Sequence, residues 1–340
     1  MSAANSSRDR SLSPQRGLLL LVALGLIWGS AYPVIRYGIV EGASPLGFAA
    51  ARYLVAALAM AGIAASTRIP RPDARSLALS AVLGLPIVGV YGLLLYIGEE
   101  TTSGSLASIV IGVTPLLTAL FALPILPGER FHRLGYAGLV VGLLGVTILV
   151  APPPGITLAS SIWGPVEVLG ASASFAIGSV MLRARRPEGE TLWGVSVQFG
   201  VATLLLAILI PVLEPRSSLP LSGGVLASLA YLVIMPSVVG YALYFYLHHN
   251  VGPGRANVVA YVNPLAAITI GTLLFAEPFE WWELVGFALI VIGLTLVTQF
   301  RPAHPPDQRT EATFVPAAPL ADVNPENPSN EEPPPYPRRP

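Results

Sequence analysis

The stretch GVTPLLTALFALPILPGERF (residues 112–131) reappears in altered form as YVNPLAAITIGTLLFAEPFE (residues 261–280). Sliding the chain along itself by 147 to 149 residues, with one small gap, brings further positions into register. They are Trp28-Gly29 with Phe175-Ala176, Arg36 with Arg183, Ala107 with Ala256, Pro115-Leu116 with Pro264-Leu265, Glu129-Arg130-Phe131 with Glu277-Pro278-Phe279, and Gly138, Gly145 and Thr147 with Gly286, Gly293 and Thr295. Such an ordered series indicates an internal duplication.

The composition excludes a soluble protein. Only 11% of the 340 residues are charged, against about 25% in soluble domains, and 53% are hydrophobic. The 19 basic residues, all arginine, balance 19 acidic ones and form no basic block, so no nucleic-acid partner is expected. Cysteine is absent, which excludes disulfides and thiolate metal sites. An integral membrane protein is predicted.

Breaks at glycine, proline and charge divide the apolar region into ten predicted membrane helices, each near the ~20 residues that a bilayer requires. They are 17–35, 43–66, 76–98, 104–126, 134–151, 162–182, 191–213, 221–247, 255–276 and 281–300. A cleaved signal peptide is the rival interpretation of the first run, but the run is long and lacks a small-residue cleavage site before Tyr32. Residues 1–16 and the proline-rich 301–340 predict disordered cytoplasmic tails.

The arginines predict the orientation. With the N-terminus inside, the predicted cytoplasmic loops hold nine arginines and the outer side three, in agreement with the positive-inside rule. Each copy of the duplication, 17–151 and 162–300, has an odd number of spans, so the second copy crosses the membrane in the opposite sense. The predicted fold is an all-α integral membrane protein with ten transmembrane helices in two inverted five-helix repeats, which places a site near the midplane.

Several motifs resemble the EamA-type branch of the drug/metabolite transporter superfamily. They are Leu26-Ile27-Trp28-Gly29-Ser30-Ala31-Tyr32, Arg52, Thr114-Pro115-Leu116, Gly128-Glu129-Arg130-Phe131, Asn263-Pro264-Leu265 and Ala276-Glu277-Pro278-Phe279. The resemblance covers about 17–300 and implies two inverted five-helix units that carry small organic metabolites, often outward. Pro124, Pro127 and Pro278 depart from the family pattern.

Polar and aromatic side chains inside the spans predict a central cavity. Ser105, Ser108, Gly112 and Pro115 share one helical face, and the second copy carries Asn257, Tyr261 and Pro264 at equivalent positions. Tight helix packing and an interfacial aromatic belt are the alternatives. The predicted cavity residues are Trp28, Ser30, Tyr32, Tyr91, Ser108, Thr114, Tyr241, Tyr244, Asn257, Tyr261 and Asn263, with Pro115 and Pro264 as hinges.

Two charged residues, Arg52 and Glu167, lie clearly inside predicted spans, where charges are usually functional. They are expected to pair near the outer interface, either as a structural ion pair or with Glu167 exchanging a proton while Arg52 attracts an anionic substrate. Glu129 and Glu277 are interpreted as helix caps or surface contacts, and Glu99-Glu100 as a solvated turn. His248 and His249 are adjacent and so do not form a chelating pair. No metal or cofactor is expected.

The leading functional hypothesis is a secondary transporter for small organic solutes, such as amino acids or related compounds. It would work by alternating access in a plasma membrane, in the export direction, with a proton or substrate gradient as driving force; its partners are the solute, protons and the lipid bilayer. Two alternatives stay open: a membrane-embedded transferase acting on a lipid-linked substrate, and a non-transporting scaffold that uses the proline-rich tail.

Overall fold

The computed structural model describes residues 14–126, 131–150, 162–185, 191–251 and 257–299. Within these ranges the chain is helical and contains no strand. Among the described residues, nine helices are long and apolar enough to cross a membrane, and a tenth apolar helix, Tyr261–Phe275, is shorter. The predicted arm through residue 13, the tail, Glu129 and the side chains of His248, His249 and Asn257 lie outside the described part of the chain.

We number the spans in chain order, counting the shorter helix as span 9. They are span 1 (Gln15–Val40), span 2 (Pro45–Ser66), span 3 (Ala74–Gly98), span 4 (Gly104–Ile125), span 5 (Arg133–Val150), span 6 (Trp163–Arg185), span 7 (Leu192–Leu213), span 8 (Gly223–Leu247), span 9 (Tyr261–Phe275) and span 10 (Trp281–Gln299). Helix bounds differ from the spans at three places: the first helix begins at Pro14, the eighth span's last helix runs Gly240–Val251, and the ninth begins at Asn257. The protein is therefore an all-α, multi-pass membrane protein.

Short polar side chains begin several of these helices. The side chains of Asp73, Ser103, Thr191 and Ser222 accept hydrogen bonds from the amides of Ser76, Leu106, Gly194 and Val225, respectively. Such caps satisfy amides that the first helical turn leaves without a partner. Span 4 is interrupted after Ile111, and its second helix starts at Thr114, directly before Pro115.

The spans pack in pairs that join the two halves of the sequence. Span 2 packs against span 7, span 3 against span 6, span 1 against spans 8 and 9, span 4 against span 6, and span 5 against span 10. Spans 5 and 10 meet at glycines, since a Cβ atom on Gly138 would lie 2.7 Å from the carbonyl oxygen of Gly293. Small residues allow this close approach. The inverted five-helix repeat itself stays a prediction from the aligned sequence.

Spans 3 and 8 each contain a π-helical stretch, Leu85–Val90 and Val233–Val239, whose starts are 148 residues apart. Each stretch holds a proline, Pro86 or Pro236, which removes an amide donor from the helix. Side chains from neighbouring spans bond to both proline carbonyls: Ser174 Oγ donates to Pro86 at 2.8 Å, and Trp28 Nε1 donates to Pro236 at 3.1 Å. Both stretches contribute to the cavity described next.

Candidate functional site

A cavity of about 370 Å³ lies among the spans. Of the side chains predicted for it, the following line it: Trp28, Tyr32, Tyr91, Ser108, Thr114, Tyr241, Asn263, Arg52 and the hinge residue Pro115. Further lining residues that the sequence reasoning missed include Tyr53, Ile87, Val88, Phe175, Phe199 and Pro236. The π-helical stretches of spans 3 and 8 supply three of these, Ile87, Val88 and Pro236.

Other predicted residues lie beside the cavity. The hydroxyl of Ser30 bonds to the Tyr231 hydroxyl at 2.7 Å and to the carbonyl of Ile27 at 2.8 Å. Tyr244 packs against Trp28, with ring centroids 5.6 Å apart. Tyr261 packs against the hydrophobic core, and Pro264 is buried near Gly112. These side chains support the wall and do not line it.

Asn263 both lines the cavity and supports its wall. It lines the cavity, and its amide nitrogen, when turned toward them, donates to the carbonyls of Val259 at 3.1 Å and Gly25 at 3.0 Å. The second bond ties span 9 to span 1. A buried amide needs such partners, so part of its hydrogen-bonding capacity serves helix packing.

Aromatic rings form much of the cavity wall. Tyr53 stacks on Phe199 with centroids 5.4 Å apart, and Phe199 meets Tyr241 edge to face at 5.7 Å. On another side of the cavity, the ring centroids of Tyr91 and Phe175 are 5.6 Å apart. Ring pairs at these distances stabilise one another and bury little polar surface. The wall therefore favours a ligand with an apolar body.

Arg52 is the one charged residue lining the cavity among those the structure describes. Its Nε donates to Ser237 Oγ at 3.3 Å, its Nη1 donates to the Tyr96 hydroxyl at 3.2 Å, and its guanidinium carbon lies 5.7 Å from the centre of the Tyr53 ring. Within the described ranges these partners are neutral, so no carboxylate forms a hydrogen bond with Arg52. Nη2 keeps its donors for another group.

Glu167 does not join Arg52. It is half-buried near the start of span 6, and the charge that acts on it is that of Glu100. The expected ion pair between Arg52 and Glu167 is therefore replaced by the hydroxyl contacts of Arg52. In the described part of the chain, no three His, Asp or Glu side chains are grouped as a metal ion would require.

One end of the helix bundle is held together by glutamates and Arg36; we call it the acidic end, and it comprises the connections after spans 1, 3, 7 and 9. The Glu277 carboxylate accepts hydrogen bonds from the amides of Gly104 at 3.0 Å and Ser105 at 2.9 Å, and from Ser105 Oγ at 2.6 Å. It thus caps span 4, in line with the predicted capping role.

Two further side chains, Glu214 and Arg36, make hydrogen bonds at the same end. Glu214, which follows span 7, accepts from the amide of Leu46 at 2.8 Å at the start of span 2. Arg36 Nη1 donates to the carbonyl oxygens of Glu99 and Glu100, both at 2.7 Å. Arg36 and Glu99, both within the described ranges, are not part of the cavity lining. The polar contacts of the acidic end that involve Arg36 and Glu99 therefore lie outside the cavity lining.

Glu99 contradicts the expectation of a solvated turn. Its exposed fraction is 0%, and neither carboxyl oxygen has a hydrogen-bond partner. Burial, and next the charge of Glu277, raise the pKa of the Glu99 carboxyl well above its ordinary value, although Arg36 and Arg52 oppose the shift. Desolvation disfavours the charged form of a carboxyl group, so this buried position favours the protonated form of Glu99.

Comparison with known proteins agrees with these features. The EamA-like transporter family matches residues 15–151 and 162–299. The chain is 33% identical over 293 residues to the "Uncharacterized inner membrane transporter YedA" of Escherichia coli, covering 86% of this chain and 92% of that protein. It is 26% identical to the "Probable terminal-alkyne amino-acid exporter" of Streptantibioticus cattleyicolor, covering 82% of this chain and 92% of that protein.

The fold is also found among solved structures. One crystal structure superimposes with a TM-score of 0.58 and 21% identity, covering 84% of this chain and 98% of its own chain. Its similarity supports the fold, while the family match extends over both halves of the sequence. The chain belongs to the EamA-like transporter family.

Proposed function

We propose that the protein is a secondary transporter that exports small organic acids with an apolar body, such as amino acids or related compounds. It would work by alternating access between two inverted five-helix repeats in a plasma membrane, with both chain termini in the cytoplasm. The observation that carries the proposal is the guanidinium of Arg52 in an aromatic-walled cavity, where its hydrogen-bond partners are hydroxyl groups.

The cavity has the size and chemistry for such a solute. Its volume of about 370 Å³ falls in the range of small-molecule sites. A buried cation without a carboxylate is unfavourable, and a ligand carboxylate would bind the free donors of Arg52 with charge-assisted hydrogen bonds. The rings of Tyr53, Phe199 and Tyr241 would contact the apolar part of the same ligand.

The closed acidic end supports alternating access. Its contacts join span 4 to the segment after span 9 and span 2 to the segment after span 7, so they connect the two matched halves of the chain. Contacts of this kind have to break for the cavity to open at that end. The probable terminal-alkyne amino-acid exporter of S. cattleyicolor is a family relative whose name fits this solute class and direction.

The solute class is tested with the purified full-length protein in liposomes, by counterflow of radiolabelled L-phenylalanine and of L-phenylalaninamide, which lacks the carboxylate. We expect the acid to be transported and Arg52→Gln to reduce its flux about 10- to 100-fold, the loss of a charge-assisted hydrogen bond. Arg75→Gln, at an exposed arginine in the first turn of span 3, is the matched control and should transport normally.

Two results would contradict the proposal: equal flux of the acid and the amide, or unchanged flux of the acid in Arg52→Gln. The direction is tested in cells preloaded with phenylalanine. Cells that produce the protein should lose the amino acid faster than cells that produce Arg52→Gln, and equal loss would argue against export.

A further inference from the structure

Glu99 occupies a position that disfavours its negative charge. It follows the last residue of span 3, and its amide donates to the carbonyl of Leu95 at 2.9 Å, so the carboxyl group stands at the carbonyl end of a helix. That end carries partial negative charge. The side chain is fully buried, and both carboxyl oxygens lack a hydrogen-bond partner. A neutral, protonated carboxyl group suits this position.

The charged and titratable groups around Glu99 come from four elements. Span 1 contributes Arg36 and Tyr32, span 2 Arg52, span 3 itself Tyr91 and Tyr96, and the segment after span 9 Glu277. From span 6, which packs on span 3, Glu167 is subject to the charge of Glu100, the residue after Glu99.

These groups do not neutralise the carboxylate. The Nη1 donors of Arg36 bind the backbone carbonyls of Glu99 and Glu100, so this arginine stabilises the turn and forms no hydrogen bond to the carboxyl oxygens. Glu277 is held in place by the two amides at the start of span 4. A second negative charge close to Glu277 is unfavourable.

The surroundings of Glu99 also connect to the cavity. Tyr32 and Tyr91 line the cavity, their hydroxyl oxygens are 3.3 Å apart, and both interact electrostatically with Glu99. Tyr96, three residues before Glu99, accepts the hydrogen bond from Arg52. Glu99 therefore lies between the cavity and the contacts that close the acidic end.

We propose that Glu99 is the proton-binding group of the transport cycle: its carboxyl group holds one proton while the acidic end is closed and gives it up when that end opens. On opening, water reaches the carboxyl group, the O–H bond breaks, and the proton passes to water to leave a carboxylate and hydronium. Closing reverses the step. The inference rests on the proposed transport by alternating access and assigns its coupling to Glu99 and not to Glu167.

The pH dependence follows from this assignment. Because the pKa of Glu99 is higher in the closed form than in a water-exposed form, low pH favours the closed form. This stabilisation of the closed form is lost as the pH rises from about 4.3, the ordinary pKa of a glutamate side chain, through the raised pKa that Glu99 has in the closed form. Within this window the ratio of open to closed protein changes by up to about tenfold per pH unit.

The opening of the acidic end is measured in the absence of a transported solute. The chain contains no cysteine, so Thr102→Cys provides the single thiol; Thr102 lies in the connection after span 3 and is 4% exposed. The full-length protein in detergent is labelled with a bulky maleimide between about pH 5 and pH 9, the range that buried carboxyl groups reach. At each pH the rate is divided by that of the denatured protein, which corrects for thiol ionisation.

We expect the corrected rate to rise with pH in Thr102→Cys and to be flat when Glu99→Gln is added. Glu100→Gln, which removes the adjacent exposed carboxylate, is the matched control and should keep the rise. A flat profile in Thr102→Cys alone, which involves no change at Glu99, would overturn the proposal. So would an unchanged rise after Glu99→Gln.

A second measurement separates this proposal from the proposed solute class. In liposomes, an imposed pH difference should drive phenylalanine against its concentration gradient in the wild type and not in Glu99→Gln. The variant should still exchange labelled for unlabelled phenylalanine. If phenylalanine does not move at all while the labelling depends on Glu99, the solute class fails and the proton site stands. If the mutant keeps uphill movement, the proton site fails and the solute class stands.

Discussion

The end of span 3 and the start of span 4 place two carboxyl groups in opposite surroundings. Glu99 stands where helical carbonyl groups end and has no hydrogen-bond partner. Glu277 reaches the first amides of span 4 and accepts three hydrogen bonds. Both groups belong to the acidic end, yet only Glu277 is stabilised as an anion. At Glu99, burial and the carbonyl end of span 3 together favour the neutral carboxyl group, whereas Glu277 faces amide donors.

The largest effect is expected from Glu277→Gln, which removes the carboxylate at the start of span 4. In Glu277→Gln an amide nitrogen faces the donors of Gly104 and Ser105, which leaves at least one buried donor unsatisfied. We expect the closed form to lose about 3 kcal/mol, which corresponds to roughly a hundredfold faster maleimide labelling of Thr102→Cys. The control is Glu280→Gln, an exposed glutamate three residues further on. Labelling as slow as in that control would mean that Glu277 does not hold this end closed.

A smaller effect is expected from crowding the closed end beside Glu99. A Cβ atom on Gly98 would lie 2.7 Å from Val168 Cγ2 and 2.8 Å from the carbonyl oxygen of Gly164, which faces it on span 6. Overpacking of this kind destabilises the closed form by about 1–3 kcal/mol. The maleimide should therefore label Thr102→Cys about tenfold faster when Gly98→Ala is added. Gly62→Ala, where a Cβ atom meets nothing within 4 Å, is the control. Equal rates in the two variants would show that spans 3 and 6 separate freely at this point.

The smallest effect is expected from Ser105→Ala, which removes one of the three hydrogen bonds to Glu277 and leaves the two amides in place. We expect a loss of about 1 kcal/mol and labelling about fivefold faster. Combined with Glu277→Gln, the serine change should add little, because its partner is already altered. Full additivity in this double-mutant cycle would refute the direct coupling of the two side chains.

The sequence predicts the spans and part of the cavity because both depend on local pattern. Trp28 was identified as an aromatic residue in a span, and its aligned partner Phe175 also lines the cavity. Phe199 was missed, although it lies 147 residues after Arg52 and so occupies the equivalent place in the other half. Comparing every cavity residue with its aligned partner would have found it.

The acidic end was not predicted because its chemistry depends on contacts between distant segments. Glu99 and Glu100 are identical neighbours in the sequence, and only the packing of spans 1, 3 and 6 decides which one is buried. No local signal separates the two, because Glu99 and Glu100 lie three and four residues after Tyr96 and both positions share its helical face. The cap that Glu277 provides joins residues 172 positions apart, which no local pattern reveals.

The π-helical stretches of spans 3 and 8 have a mechanical consequence. A π-helical turn holds one residue more than an α-helical turn, and moving that extra residue along the axis rotates the residues that it passes by about 100° while the rest of the helix stays in place. Directly beyond these turns stand Tyr91 and Tyr241, on separate walls of the cavity. A shift of either π-helical stretch would therefore reorient a ring of the cavity wall, and the hydrogen bonds from the Trp28 indole to Pro236 and from the Ser174 hydroxyl to Pro86 hold the two stretches in their present positions.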